Sequence, residues 1–140
     1  MIPWTGKLKR YQINNITATG SNTTYYLKGP LDKAGRLWDY GVQSVTTAFA
    51  GATNTPQIEV GKVGTLAAYG VAYDLKTQAV AAGSKSPRTD LHTDDATWRS
   101  AAFVDVDIPK NTVVVVTIIA ATGGGAAGAG DFFVEILWQD

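Results

Sequence analysis

The sequence predicts an all-β protein, a jelly-roll-like antiparallel β-sandwich of about eight strands in a single domain spanning residues 1–140. Three observations lead there. Short runs rich in β-branched and aromatic residues recur along the chain between Gly, Pro, Asn and Asp turn signals, the spacing of a sandwich rather than of a βαβ fold. The run Thr112-Val113-Val114-Val115-Val116-Thr117-Ile118-Ile119 is β-branched throughout, and crowding at Cβ favours an extended backbone. The terminal run Asp131 to Trp138 alternates, with Phe132, Val134, Ile136 and Trp138 on one side and Phe133, Glu135 and Leu137 on the other.

Turn chemistry delimits the elements in order. A strand near Lys7 to Ile13 precedes the reversal Thr19-Gly20-Ser21-Asn22, and one near Thr23 to Lys28 runs into Lys28-Gly29-Pro30. After Asp32-Lys33-Ala34-Gly35 come strands at Gly35 to Tyr40 and Val42 to Ala48, then Asn54-Thr55-Pro56 and strands at Gln57 to Val60 and Ala68 to Leu75. Leu75 to Ala82 holds alanines able to close a helical turn. A strand at Ala101 to Asp107, with Val104, Val106 and Ile108 toward the core, ends at Ile108-Pro109-Lys110-Asn111. Strands at Thr112 to Ala120 and Asp131 to Trp138 complete the set and are expected to be antiparallel neighbours, since successive strands joined by a short link usually pair. Residues 1–6 form a short N-terminal arm, and the polar stretch 83–100, which carries Pro87, reads as a long functional or wandering loop.

Val113, Val115 and Ile119 oppose Val114, Val116 and Ile118 on the valine-rich strand, so both of its faces avoid water. A two-layer sandwich buries only one face of each strand. The other face calls for a covering loop or a second copy of the chain. Candidate interface residues are therefore Val114, Val116 and Ile118, together with Ile2 and Trp4 of the arm and Trp98 of the long loop.

Twelve basic and twelve acidic residues cancel, which leaves no net field to draw in nucleic acid or an anionic membrane. Attachment to a partner is thus expected to depend little on salt. Cysteine is absent, and with it thiolate chemistry and disulfides. The N-terminus lacks a signal-peptide layout, and no run approaches the ~20 apolar residues of a membrane span. Two Asn-x-Thr matches, at Asn15 and Asn22, are expected to be chance without an export signal.

Motifs that could carry chemistry lose on context. Gly123-Gly124-Gly125-Ala126-Ala127-Gly128 fits the dinucleotide fingerprint, but a β-type run follows it where a helix is required. It reads as a flexible turn. Asp90, His92 and Asp94 alternate as metal ligands would, yet a lone His on a polar loop is unspecific. Asp105 and Asp107 look like ordinary strand alternation, and a triad would have only His92 to use. No cofactor, metal or enzymatic activity is expected.

From about Pro56 onward the chain resembles the small β-sandwich decoration, or cement, proteins of tailed-bacteriophage capsids. The resemblance lies in Pro56-Gln57-Ile58-Glu59-Val60-Gly61, Tyr69-Gly70-Val71-Ala72-Tyr73-Asp74, and Ile108-Pro109-Lys110-Asn111-Thr112-Val113 leading to a Gly/Ala turn and a Trp-ending strand. It implies a homotrimer made in the host cytoplasm that sits on the capsid exterior, stabilises the phage head and contacts the major capsid protein. A carbohydrate-binding or receptor-binding module of a tail fibre is the rival expectation.

Overall fold

A computed structural model describes residues 6–75, 85–87, 103–104 and 107–140. Eight strands, β1 (Gly6–Thr17), β2 (Thr23–Leu27), β3 (Gly35–Ala50), β4 (Gln57–Lys62), β5 (Thr65–Asp74), β6 (Asp107–Ile108), β7 (Val114–Ile119) and β8 (Ala127–Gln139), form two antiparallel sheets. Their orders are β1-β8-β3-β6 and β2-β7-β4-β5. Four of the pairings, β1 with β8, β2 with β7, β3 with β6 and β4 with β5, nest the first strand on the last and so inward. One long hairpin has been rolled so that successive pairs fall in alternate sheets, which is the arrangement of a jelly roll.

That winding separates the two apolar strands expected to be neighbours. β7 lies between β2 and β4, and β8 lies between β1 and β3 in the opposite sheet. Central positions suit them, because a central strand has both edges paired and its core face fully covered. The Gly/Ala segment between them crosses from one sheet to the other, with Gly123 and Gly125 at φ 92° and 70°, a region that β-branched residues avoid. The strands expected at Gly35 to Tyr40 and Val42 to Ala48 are one element, β3, bent by register shifts against β8. Its Gly41 admits the Lys85 backbone, whose carbonyl oxygen would lie 2.2 Å from any Cβ there. Lys85 and Val42 exchange backbone hydrogen bonds at 2.8 and 3.0 Å.

The core lies between the sheets. Leu37, Tyr40, Val42 and Phe49 of β3, with Phe132, Val134, Ile136 and Trp138 of β8, meet Ile58, Val60, Tyr73, Val114, Val116 and Ile118. Alternation on β8 is as expected. At Phe103 and Val104 it is reversed: Phe103 packs on the core edge-to-face with Tyr40, 5.8 Å between centroids, while Val104 is exposed. Aromatic area gains more from burial there than a valine would. Of the residues expected to form a strand at Ala101 to Asp107, only Phe103, Val104 and Asp107 are described; the start of the segment, and Lys76 to Ala82 of the possible helical turn, lie outside the described residues.

One aromatic side chain ties strands within a sheet and another ties the two sheets. Trp138 donates its indole N–H to the Tyr11 hydroxyl at 2.9 Å. Its ring fills space that Gly29 and Gly35 leave open, since a Cβ on either would lie within 2.7 Å of it. Tyr40 donates its hydroxyl to the Val71 carbonyl at 2.7 Å, and its ring occupies the space beside Gly70. Trp138→Ala is expected to cost about 3–5 kcal/mol, whereas Trp138→Phe and Tyr11→Phe each lose about 1 kcal/mol with the shared hydrogen bond. Urea unfolding of the singles and the double variant checks this, the double losing less than the sum.

The Tyr40 phenol is pushed far above its ordinary value of 10.0, first by burial and then by the Asp39 and Glu59 carboxylates. Tyr11 moves the same way through burial, opposed by its hydrogen bond from Trp138. A raised folded-state pKa gives stability that is intact below the unfolded pKa and is lost as pH climbs from there toward the folded one. The urea midpoint is therefore expected to fall steadily above about pH 10, and Tyr40→Phe to flatten that fall.

Candidate functional site

The residues expected at an interface divide cleanly. Val114, Val116 and Ile118 are buried inside the sandwich and belong to its core, so they are corrected from contact surface to structural interior. Alternation established that they oppose Val113, Val115 and Ile119; the position of the second sheet decides which set is inside. Ile2, Trp4 and Trp98 lie outside the described residues. The opposite face of β7 is already closed within one chain, Val115 being 1 % exposed. Gly61 stands beside Val115 in the ladder, and a Cβ there would lie 2.2 Å from the Thr65 carbonyl oxygen, so the β4–β5 hairpin leans over this face. Val116→Asp is accordingly expected to unfold the domain, a buried unpaired carboxylate costing about 3–5 kcal/mol, and not merely to dissociate an assembly. Circular dichroism together with sedimentation distinguishes the two.

Many charged and polar side chains that can carry chemistry are engaged with one another. The buried Asp39 accepts hydrogen bonds from the Ser86 hydroxyl at 2.7 Å and the Tyr40 backbone N–H at 3.0 Å, anchoring the Lys85–Pro87 segment on β3. Arg36 pairs with Asp107 at 3.1 Å. On the outward face of the first sheet Arg10 spans Glu135 at 3.4 Å and Gln43, and its guanidinium lies 4.3 Å from the Phe133 ring centroid. That stacking is how Phe133, an outward residue, is nonetheless buried. On the second sheet Glu59 pairs with Thr117 in the ladder, and partial burial raises its carboxyl pKa. Asp90, His92, Asp94 and Asp105 lie outside the described residues. Among the described residues no group of three or more His, Asp or Glu side chains converges on a metal position, and no helix is long and apolar enough to cross a membrane.

The two ends of the sandwich differ. One gathers the Thr19–Asn22 turn, the Gly51–Pro56 turn and the β7–β8 crossover, none of which carries a charged residue. They are knitted by backbone hydrogen bonds, including Ala121 N–H to Ala18 at 2.9 Å and Thr53 N–H to Thr122 at 3.0 Å. The other end gathers the Lys28–Ala34 loop, the Val63-Gly64 hairpin tip, the Pro109–Val113 turn and the C-terminus. The Asn111 N–H donates to the Leu31 carbonyl at 2.6 Å and brings two of these loops together. Exposed large apolar side chains gather here: Leu31, Val63, Leu66 and Val113, with Tyr26 on the adjoining outward face. Beside them a shallow polar depression is lined by Asp32, Lys33, Lys110, Gln139 and Asp140. Sequence reasoning missed this cluster, whose members come from four separate segments; the only local signal was an apolar residue at a turn, as in Lys62-Val63-Gly64. In comparisons with known proteins no family model, no curated protein and no solved structure matches the chain.

Proposed function

We propose that this chain is a non-enzymatic structural protein of a virion, a capsid decoration protein that binds the exterior of a phage head and reinforces contacts between major capsid subunits. The observation that carries the reading is what the described surface offers a partner: a cluster of apolar side chains at one end of a rigid sandwich, while Arg10, Arg36, Asp39 and Asp107 engage one another or their neighbours. Such a surface suits adhesion, and bound stabilisation of a shell follows from mass action on its closed state. The jelly roll adds a fold-level analogy, since capsid and lectin domains both use it. The homotrimer rests on the sequence resemblance, because the outward face of β7 no longer demands a second copy.

Shells purified without the chain test the proposal directly. Addition of the chain is expected to saturate a fixed number of sites and to raise the temperature at which shells release their contents. Absence of both effects, with binding to an immobilised glycan array instead, replaces the proposal with a tail-fibre carbohydrate-binding module; the exposed Trp38 would then supply a ring for sugar stacking.

A further inference from the structure

We infer that the end of the sandwich bearing the β4–β5 hairpin is the docking end, and that it fits a protein surface with an apolar centre and an acidic rim. The inference deepens the decoration reading by naming the surface through which attachment takes place.

Three observations converge on this end. Tyr26, Leu31, Val63 and Val113 are 65, 50, 69 and 40 % exposed, and the strand register sets Tyr26 and Val113 on the same outward face as Val115. Scattered apolar exposure is ordinary, but grouping on one end is the mark of a contact surface. The flanks are basic. Lys62 pairs with Val114 in the ladder, Lys28 follows directly on the Leu27 to Val114 pair, and Lys33 and Lys110 stand in the adjoining loops. Asp32, Asp140, Lys33 and Lys110 line the polar depression, while Lys28 follows two residues after Tyr26 and Lys62 adjoins Val63.

Net neutrality therefore conceals a polarised molecule. Among the described residues this end is basic and apolar, while the three loops of the far end carry no charge of their own and one of them, through the Thr55 hydroxyl, donates to the Asp74 carboxylate at 2.6 Å. Charge pattern also selects the occupant. Lys28, Lys33, Lys62 and Lys110 outnumber Asp32 and Asp140 here, so two copies meeting through this end would bring two like-signed surpluses together, which opposes association. An acidic rim on a different protein meets the lysines while its apolar centre covers Val63 and Val113. The hairpin presenting Val63 is braced where Thr65 and Leu66 close down on Gly61, so little loop ordering is lost on contact.

Two probes separate this inference from the decoration reading. The first is the stripped shell, titrated with wild type, Lys28→Glu/Lys62→Glu, Val63→Asp and, at the far end, Ser21→Glu, each verified as folded by circular dichroism. The expected outcome is on the order of ten-fold weaker binding for the charge-reversed and Val63 variants, near-wild-type binding for Ser21→Glu, and wild-type affinity that falls as salt rises. The second is a synthetic peptide of alternating Glu and Leu, followed through backbone amide shifts. It is expected to perturb residues 26–31, 61–66 and 110–115, while a Lys-Leu peptide does not. Shell binding that is lost in Ser21→Glu but kept in the other variants retains decoration and overturns the docking end. Peptide binding at these residues without shell binding retains the docking end and overturns decoration. Equal response to both peptides, or stronger lysine-dependent binding to phosphatidylglycerol vesicles than to the Glu-Leu peptide, overturns the acidic protein partner.

Discussion

Two strands that cannot face water on their core side organise this fold. β7 and β8 carry the densest apolar sequence in the chain, and each must have both edges paired to satisfy its backbone while its side chains are covered. Only central positions do this, and a single sheet with both at its centre would leave one broad apolar face open. Placing them in opposite sheets lets Val114, Val116 and Ile118 meet Phe132, Val134 and Ile136 across the core. The remaining strands then take positions around them: β2 and β4 beside β7, β1 and β3 beside β8.

Each central strand also has an outward face, and the chain closes the two differently. On β8 the outward position of Phe133 is covered by the Arg10 guanidinium, which Glu135 and Gln43 hold in place. A charged group thereby serves as an apolar lid while its nitrogens remain hydrogen-bonded. On β7 the backbone of the β4–β5 hairpin leans across, made possible because position 61 has no side chain. This second device bears on function: the hairpin that shields Val115 also carries Val63 outward, so a structural cover and an exposed apolar tip are one element.

The ends of the sandwich are stabilised by different physics as well. At the end built from the three charge-free loops, those loops are joined by backbone hydrogen bonds among small residues. At the other, Trp138 fills the slot between Gly29 and Gly35 and bonds Tyr11, so the loops there are anchored from beneath while their outer side chains stay in solvent. Anchored loops with apolar tips lose little entropy when a partner covers them. The local composition of each end, rather than the net charge of the molecule, sets how it meets other surfaces.

Composition and periodicity by themselves determined the all-β class, the sandwich, most strand positions and the faces of β8, because alternation and β-branching act on each residue and its near neighbours. They also established that β7 is apolar on both faces. Which face lies inside, that β7 and β8 part company into separate sheets, and that Phe103 turns inward while Val104 turns out were decided only by the tertiary winding. The reason is that these depend on what stands across the core, and pairs such as Tyr11 with Trp138 or Gly61 with Val115 are distant in sequence. The exposed cluster at the hairpin end belongs to the same category: Tyr26, Leu31, Val63 and Val113 become a surface only when four segments are brought together, and no local rule acting on any one of them specifies the others.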